Sequence, residues 1–176
     1  MVSAARTSYH VYFPAGAGDV LVVVNELQDP KALAETIARL HRAEPDTRIH
    51  VLAPQQTPSG YARSHLRRVN VGKVLRATGE REIEVLSGLL EAAGVVHQRH
   101  VEVGPWLETI ASFVRDRGCK RIFIGDNAGS FLKNLLLRHD CSLLRAYLAR
   151  QGISCRVMRR EETVGERGAA TEGTGA

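Results

Sequence analysis

Residues 19–24 read Asp-Val-Leu-Val-Val-Val, an apolar run with no polar residue after its first position. A half-exposed strand or an amphipathic helix would interleave polar residues. The run therefore predicts a strand covered on both faces, as in the interior of a parallel sheet. Parallel neighbours need crossover connections, so helices should alternate with further strands along the chain.

They do. After Asn25, Asp29-Pro30 pairs a helix cap with proline at the first helical position, and Leu33, Ile37 and Leu40 recur at helical spacing up to Glu44-Pro45. Arg48–Ala53 is a second strand, closed by Pro54. Residues 55–80, with Pro58, Gly60 and Gly72, predict an irregular insertion. Helical spacing resumes from Glu82 to Ala93 through Ile83, Leu86 and Leu90, and Gly94 suits the left-handed position past a helix end. His97–Val103 is a third strand. Gly104-Pro105 opens a helix through Leu107, Ile110 and Val114 that Gly118 stops, and Arg121–Ile124 is a fourth strand. A glycine-containing turn, Gly125 to Ser130, leads into a long helix from Phe131 to Arg150. Gly152 breaks it, and Ile153–Met158 is a fifth strand. This order predicts an α/β fold, a doubly wound, five-stranded parallel sheet with helices on both faces.

A chain of 176 residues suits one domain with a real core, placed at residues 19–160 behind an N-terminal extension, 1–18. The segment 161–176, rich in Gly, Ala and Thr, is too poor in apolar residues to offset its ordering entropy, which predicts a disordered tail. No apolar run approaches the roughly 20 residues that span a bilayer, and residues 1–18 lack a signal-peptide core, so a cytoplasmic location and no membrane partner are expected. Cys119, Cys141 and Cys155 lie far apart without CxxC spacing and read as reduced, structural thiols. His97 and His100 would point to opposite faces of their strand, which argues against a metal. The net charge of +5 is scattered rather than gathered into a tract. The insertion carries Arg63, His65, Arg67, Arg68, Lys73 and Arg76 with Tyr61 as its only ring, and reads as a solvated basic loop rather than a nucleic-acid surface.

Ligands of open parallel sheets sit at the carboxyl ends of the strands, which singles out the turns after the first and fourth. Gly125, Gly129 and Ser130 could bring backbone N–H groups to an anion at the head of a helix. The same glycines also serve turn geometry alone. No Walker loop is present, and no GxGxxG follows the first strand; the Gly-Ala-Gly at 16–18 precedes it. With no GxSxG or HExxH motif, no nucleophile or general base is named and no catalytic residue is expected.

The stretch VEVGPWLETIASFVRDRGCKRIFIGDNAGSFLKNLLL, with the valine-rich first strand and the HVL of the second, resembles the universal stress protein family from about Asp19 to Met158. The resemblance implies a strand order of 3-2-1-4-5 and a homodimer through the last strand, Ile153 to Met158. It also implies an adenine-nucleotide site, for ATP or AMP, between Asn25, the end of the second strand near Val51 and Ala53, and the loop with Gly125, Gly129 and Ser130. ATP-binding members of the family carry Gly-x2-Gly-x9-Gly-Ser/Thr and an aspartate closing the first strand. Here Gly125 matches, but Ala128 stands at the second glycine, Arg138 and His139 at the final pair, and Asn25 at the aspartate. Bulky side chains would keep a triphosphate from the backbone, and asparagine brings no charge for magnesium. The expectation is a non-catalytic stress-response or regulatory module with a degenerate nucleotide site and no cofactor. The alternatives are an ATP- or AMP-responsive switch, in which Arg138 and His139 clasp phosphate, and, behind it, a nucleic-acid-associated protein.

Overall fold

The computed structural model describes residues 18–24, 28–57, 70–125 and 131–159, the side chains of 131–140 and 159 excepted. The expected N-terminal extension, the tail and most of the basic insertion lie outside these residues. Five parallel strands, β1 (Val20–Val23), β2 (Ile49–Gln55), β3 (His97–Val103), β4 (Arg121–Ile124) and β5 (Arg156–Arg159), form one sheet in the order β3-β2-β1-β4-β5. Four helices, α1 (Pro30–Ala43), α2 (Val71–Ala92), α3 (Trp106–Arg117) and α4 (Phe131–Arg150), alternate with them. Topology and helix order are those expected from the sequence.

β1 is fully buried because it is central, and its residues alternate between two cores. Val20 and Val22 join Ile37 and Leu40 of α1 and Ile83, Leu86 and Leu90 of α2 on one face. Leu21 and Val23 join Ile110 and Val114 of α3 and Leu144 and Leu148 of α4 on the other. Each such side chain contributes roughly 1.5–3 kcal/mol on leaving water. Asp29 caps α1 by accepting from Lys31 N and Ala32 N at 3.0 and 3.2 Å, with Pro30 at the first turn. Gly118 ends α3 at φ 68°, a left-handed conformation that costs other residues strain. The two histidines of β3 do face opposite ways: His97 lies 2.9 Å from Ser87 of α2, whereas His100 meets Phe113 of α3.

Three boundaries differ from expectation by more than one residue. β2 continues through Pro54 to Gln55, and β5 starts at Arg156 rather than Ile153. The larger difference is α2, which begins at Val71, where Asn70 accepts from Lys73 N at 3.1 Å, so residues 71–80 of the expected irregular insertion are helical. Gly72 reads as a breaker in the sequence yet lies within the helix, and at Gly79 α2 passes close against the sheet. A Cβ there would stand 2.6 Å from Val101 Cγ1 and 3.2 Å from Gln55 Cγ. Alanine would gain about 1 kcal/mol of helix propensity yet force repacking that typically costs 1–3 kcal/mol. Gly79→Ala is therefore expected to lower unfolding stability by about 1 kcal/mol in urea titrations; a stabilised variant would show that the contact is slack.

Candidate functional site

The crevice at the carboxyl ends of β1 and β4 is the place where the strand order reverses. Val24 follows β1 and Gly125 follows β4, both buried. Over them lies Gln28, 8% exposed, whose Nε2 donates to Val23 O at 3.2 Å. A Cβ on Gly125 would stand 3.3 Å from Gln28 Cδ and 3.3 Å from Leu33 Cδ2, so this glycine lies directly beneath both side chains. The hollow between Gly125, Ile124 and the first turns of α1 has a volume of only about 20 Å³. That is room for one water.

Beside it, a groove of about 340 Å³ runs between the start of α1 and the middle of α2, walled by Val24, Gln28, Leu33, Thr78, Arg81 and Glu82. This volume falls within the range of small-ligand sites. Glu82 is positioned by Gln55 at the end of β2, whose Nε2 donates to Glu82 Oε2 at 2.8 Å. The groove therefore offers an apolar floor, a fixed carboxylate and a guanidinium.

Of the residues singled out by sequence, Gly125 stands in the crevice. Val51 and Ala53 reach the expected end of β2, but both are fully buried in the core beneath α1 and α2 and present no accessible surface to a ligand. Asn25, Gly129 and Ser130 lie outside the described residues, and Arg138 and His139 are placed only as backbone of α4. Gln28, Thr78, Arg81 and Glu82 escaped sequence reasoning. Gln28 carries no motif, and the α2 residues were hidden by the expected irregular segment. Lys73 and Arg76 of the basic insertion prove to be exposed residues of the first turns of α2. The cysteines form no disulfide, and burial above all pushes the Cys119 thiol up to about 11 and the Cys155 thiol up to about 12, making both poor nucleophiles. Among the described residues there is no group of three or more His, Cys, Asp or Glu suited to a metal, and no helix long and apolar enough to cross a membrane.

A five-stranded parallel sheet in this order, with a crevice at its switch point, defines a doubly wound α/β protein. The sequence profile of the universal stress protein family matches residues 17–140, and the chain belongs to that family. No curated protein matches it significantly in sequence. Its fold is similar to the universal stress protein UspA from Lactobacillus plantarum, at 15% identity and a TM-score of 0.58, covering 83% of this chain and 99% of that one. A family member from Burkholderia pseudomallei aligns at 16% identity and a TM-score of 0.54, covering 83% and 98%. One from Arabidopsis thaliana, solved with AMP bound, aligns at 18% identity and a TM-score of 0.51, covering 85% and 97%.

Proposed function

We propose that this chain is a non-catalytic stress-response or regulatory module that acts by binding partners, its nucleotide crevice degenerate. The observation that carries this reading is the buried Gln28 amide laid over Gly125, where a nucleotide would need the crevice open. The departures at Asn25, Ala128, Arg138 and His139 support it from the sequence. The module works as a homodimer through its last strand. β5 has β4 on one side, and symmetric pairing of two copies would satisfy the amide and carbonyl groups along its other edge.

The second reading is an ATP- or AMP-responsive switch, favoured by the AMP bound to the Arabidopsis relative and by the 340 Å³ groove next to the crevice. In that case adenine would lie in the groove and its amine would face Glu82. Calorimetric titration of the purified protein with ATP and magnesium decides between them, together with the absorbance of whatever denaturation releases. The expected result is no adenine released and a dissociation constant weaker than about 1 mM. Micromolar binding would hand the assignment to the switch.

A further inference from the structure

At the amino ends of β1 and β2, away from the crevice, three side chains form a line. Asp19 Oδ2 lies 3.3 Å from His50 Nε2, and His50 Nδ1 lies 3.2 Å from His100 Nε2. His50 is 2% exposed, and the ring of Phe113 stands edge-on to both imidazoles, 5.6 Å from His50 and 4.8 Å from His100. The carboxylate accepts only, so Nε2 of His50 carries a proton. In the neutral pair His50 Nδ1 is then the acceptor and His100 Nε2 the donor. One added proton leaves the line intact whichever ring holds it, because one nitrogen of the facing pair still has its lone pair. A second proton sets N–H against N–H. Phe113 packs against both rings, so the half-buried His100 is the ring that can turn away to solvent.

His100 is the half-buried member, and it belongs to the edge strand β3, held to α3 on this face through Phe113. We propose that the Asp19–His50–His100 line is an acid-sensitive latch that fastens the edge strand β3 to β2 and, through Phe113, to α3, and that it opens when both imidazoles are charged. The other charged or titratable groups around it include Arg48, which pairs with Asp19 at 3.0 Å, Lys120, whose backbone N–H donates to Asp19 O at 2.9 Å, Arg117 of α3 beside Phe113, Glu102 further along β3, and Cys119 near Asp19. Among the described residues the carboxylate paired with His50 is Asp19, and it is already shared with Arg48. In agreement, burial first, then the charges of His50 and Arg117, hold His100 below the ordinary imidazole range. A histidine so lowered contributes stability that is intact above its ordinary value, near 6.5, and is lost as pH falls through its lower folded value. The latch is closed at neutral pH and opens under mild acid, independently of any nucleotide.

The test is hydrogen exchange of the β3 amides in the full chain at pH 7.5 and pH 5, corrected for intrinsic rates, with His100→Gln alongside. Glutamine keeps a donor for His50 but cannot become charged. Wild-type β3 should lose at least about tenfold in protection, as one proton taken up across a pH unit provides, while the variant changes far less. Equal losses in both proteins, or none in the wild type, would overturn the latch. Should His100→Gln fail to fold, an NMR titration of the wild-type imidazoles decides instead. Linked steps shared by the two rings support the proposal, and two independent titrations near 6.5 defeat it.

Discussion

Glu44→Gln is expected to lower unfolding stability by about 2 kcal/mol, within the range for hydrogen bonds to a charged group, because the pair it weakens is part-buried. Arg121 opens β4 with its side chain 5% exposed, and its guanidinium donates to both oxygens of Glu44 at 2.9 and 2.6 Å. Its Nε finds no partner among the described residues, so the carboxylate carries nearly all of its compensation. The pair ties the end of α1 to β4, two elements 77 residues apart, and Thr47 adds a donor to Glu44 at 3.1 Å. The hydrogen bonds from Arg121 hold the Glu44 carboxyl below its ordinary 4.5 against the opposing effect of burial. A carboxylate so lowered stabilises fully above that ordinary value and loses its contribution as pH falls through the folded one. Urea titrations at pH 7 and pH 4 should therefore show the gap between wild type and variant narrowing in acid. The double variant Glu44→Gln, Arg121→Met should recover most of the loss, because an apolar pair has no charge to strand. A single-variant loss under about 0.5 kcal/mol would class the contact with ordinary surface pairs.

The elements that could be read from the sequence are those whose local signals agree with their tertiary role. β1 announces itself because a strand buried on both faces, with no polar partner for its side chains, reads as an unbroken apolar run. α1 does so because Asp29 and Pro30 mark its start at the same place as its apolar spacing. α2 was misread where local and tertiary demands conflict. Gly79 weakens a helix locally, but the close passage past Val101 allows no side chain. Pro54 reads as a strand end, yet β2 runs through it to Gln55 and pairs with β3 up to Val103.

The site was less legible, for a different reason. Gly125 was found because a glycine between strand and helix has a recognisable spacing. Gln28 was not, since its part depends on Val23 and Gly125, which only folding brings together. The line of Asp19, His50 and His100 was equally hidden. His50 and His100 are 50 residues apart and meet diagonally across the β2–β3 pairing, in which His50 faces Gln98 and Leu52 faces His100. Sequence alternation put His97 and His100 on opposite faces but could not supply a partner for either.

The largest gain in function is expected from restoring the family's phosphate loop. A variant carrying Asn25→Asp, Ala128→Gly, Arg138→Gly and His139→Ser reinstates the spacing Gly-x2-Gly-x9-Gly-Ser from Gly125 onward and the acidic residue after β1. The substitutions remove side-chain bulk beside the phosphate and restore glycine at 128 and a hydroxyl donor at 139, and each charge-assisted hydrogen bond regained is worth about 1.5–3 kcal/mol. Two of them amount to about 3 kcal/mol, or a gain of about a hundredfold in ATP affinity. Gln28 should resist that gain, because its amide lies over Gly125 and must swing out before a ribose can settle there. Adding Gln28→Ala to the restored loop is therefore expected to tighten ATP further. Alone, Gln28→Ala should do little while Arg138 and His139 stand where the family has Gly-Ser. Calorimetry on the three variants separates the two obstacles. If the restored loop binds ATP no better than the wild type even with Gln28 removed, the obstacle lies in neither place, and the degenerate-loop account of this chain fails.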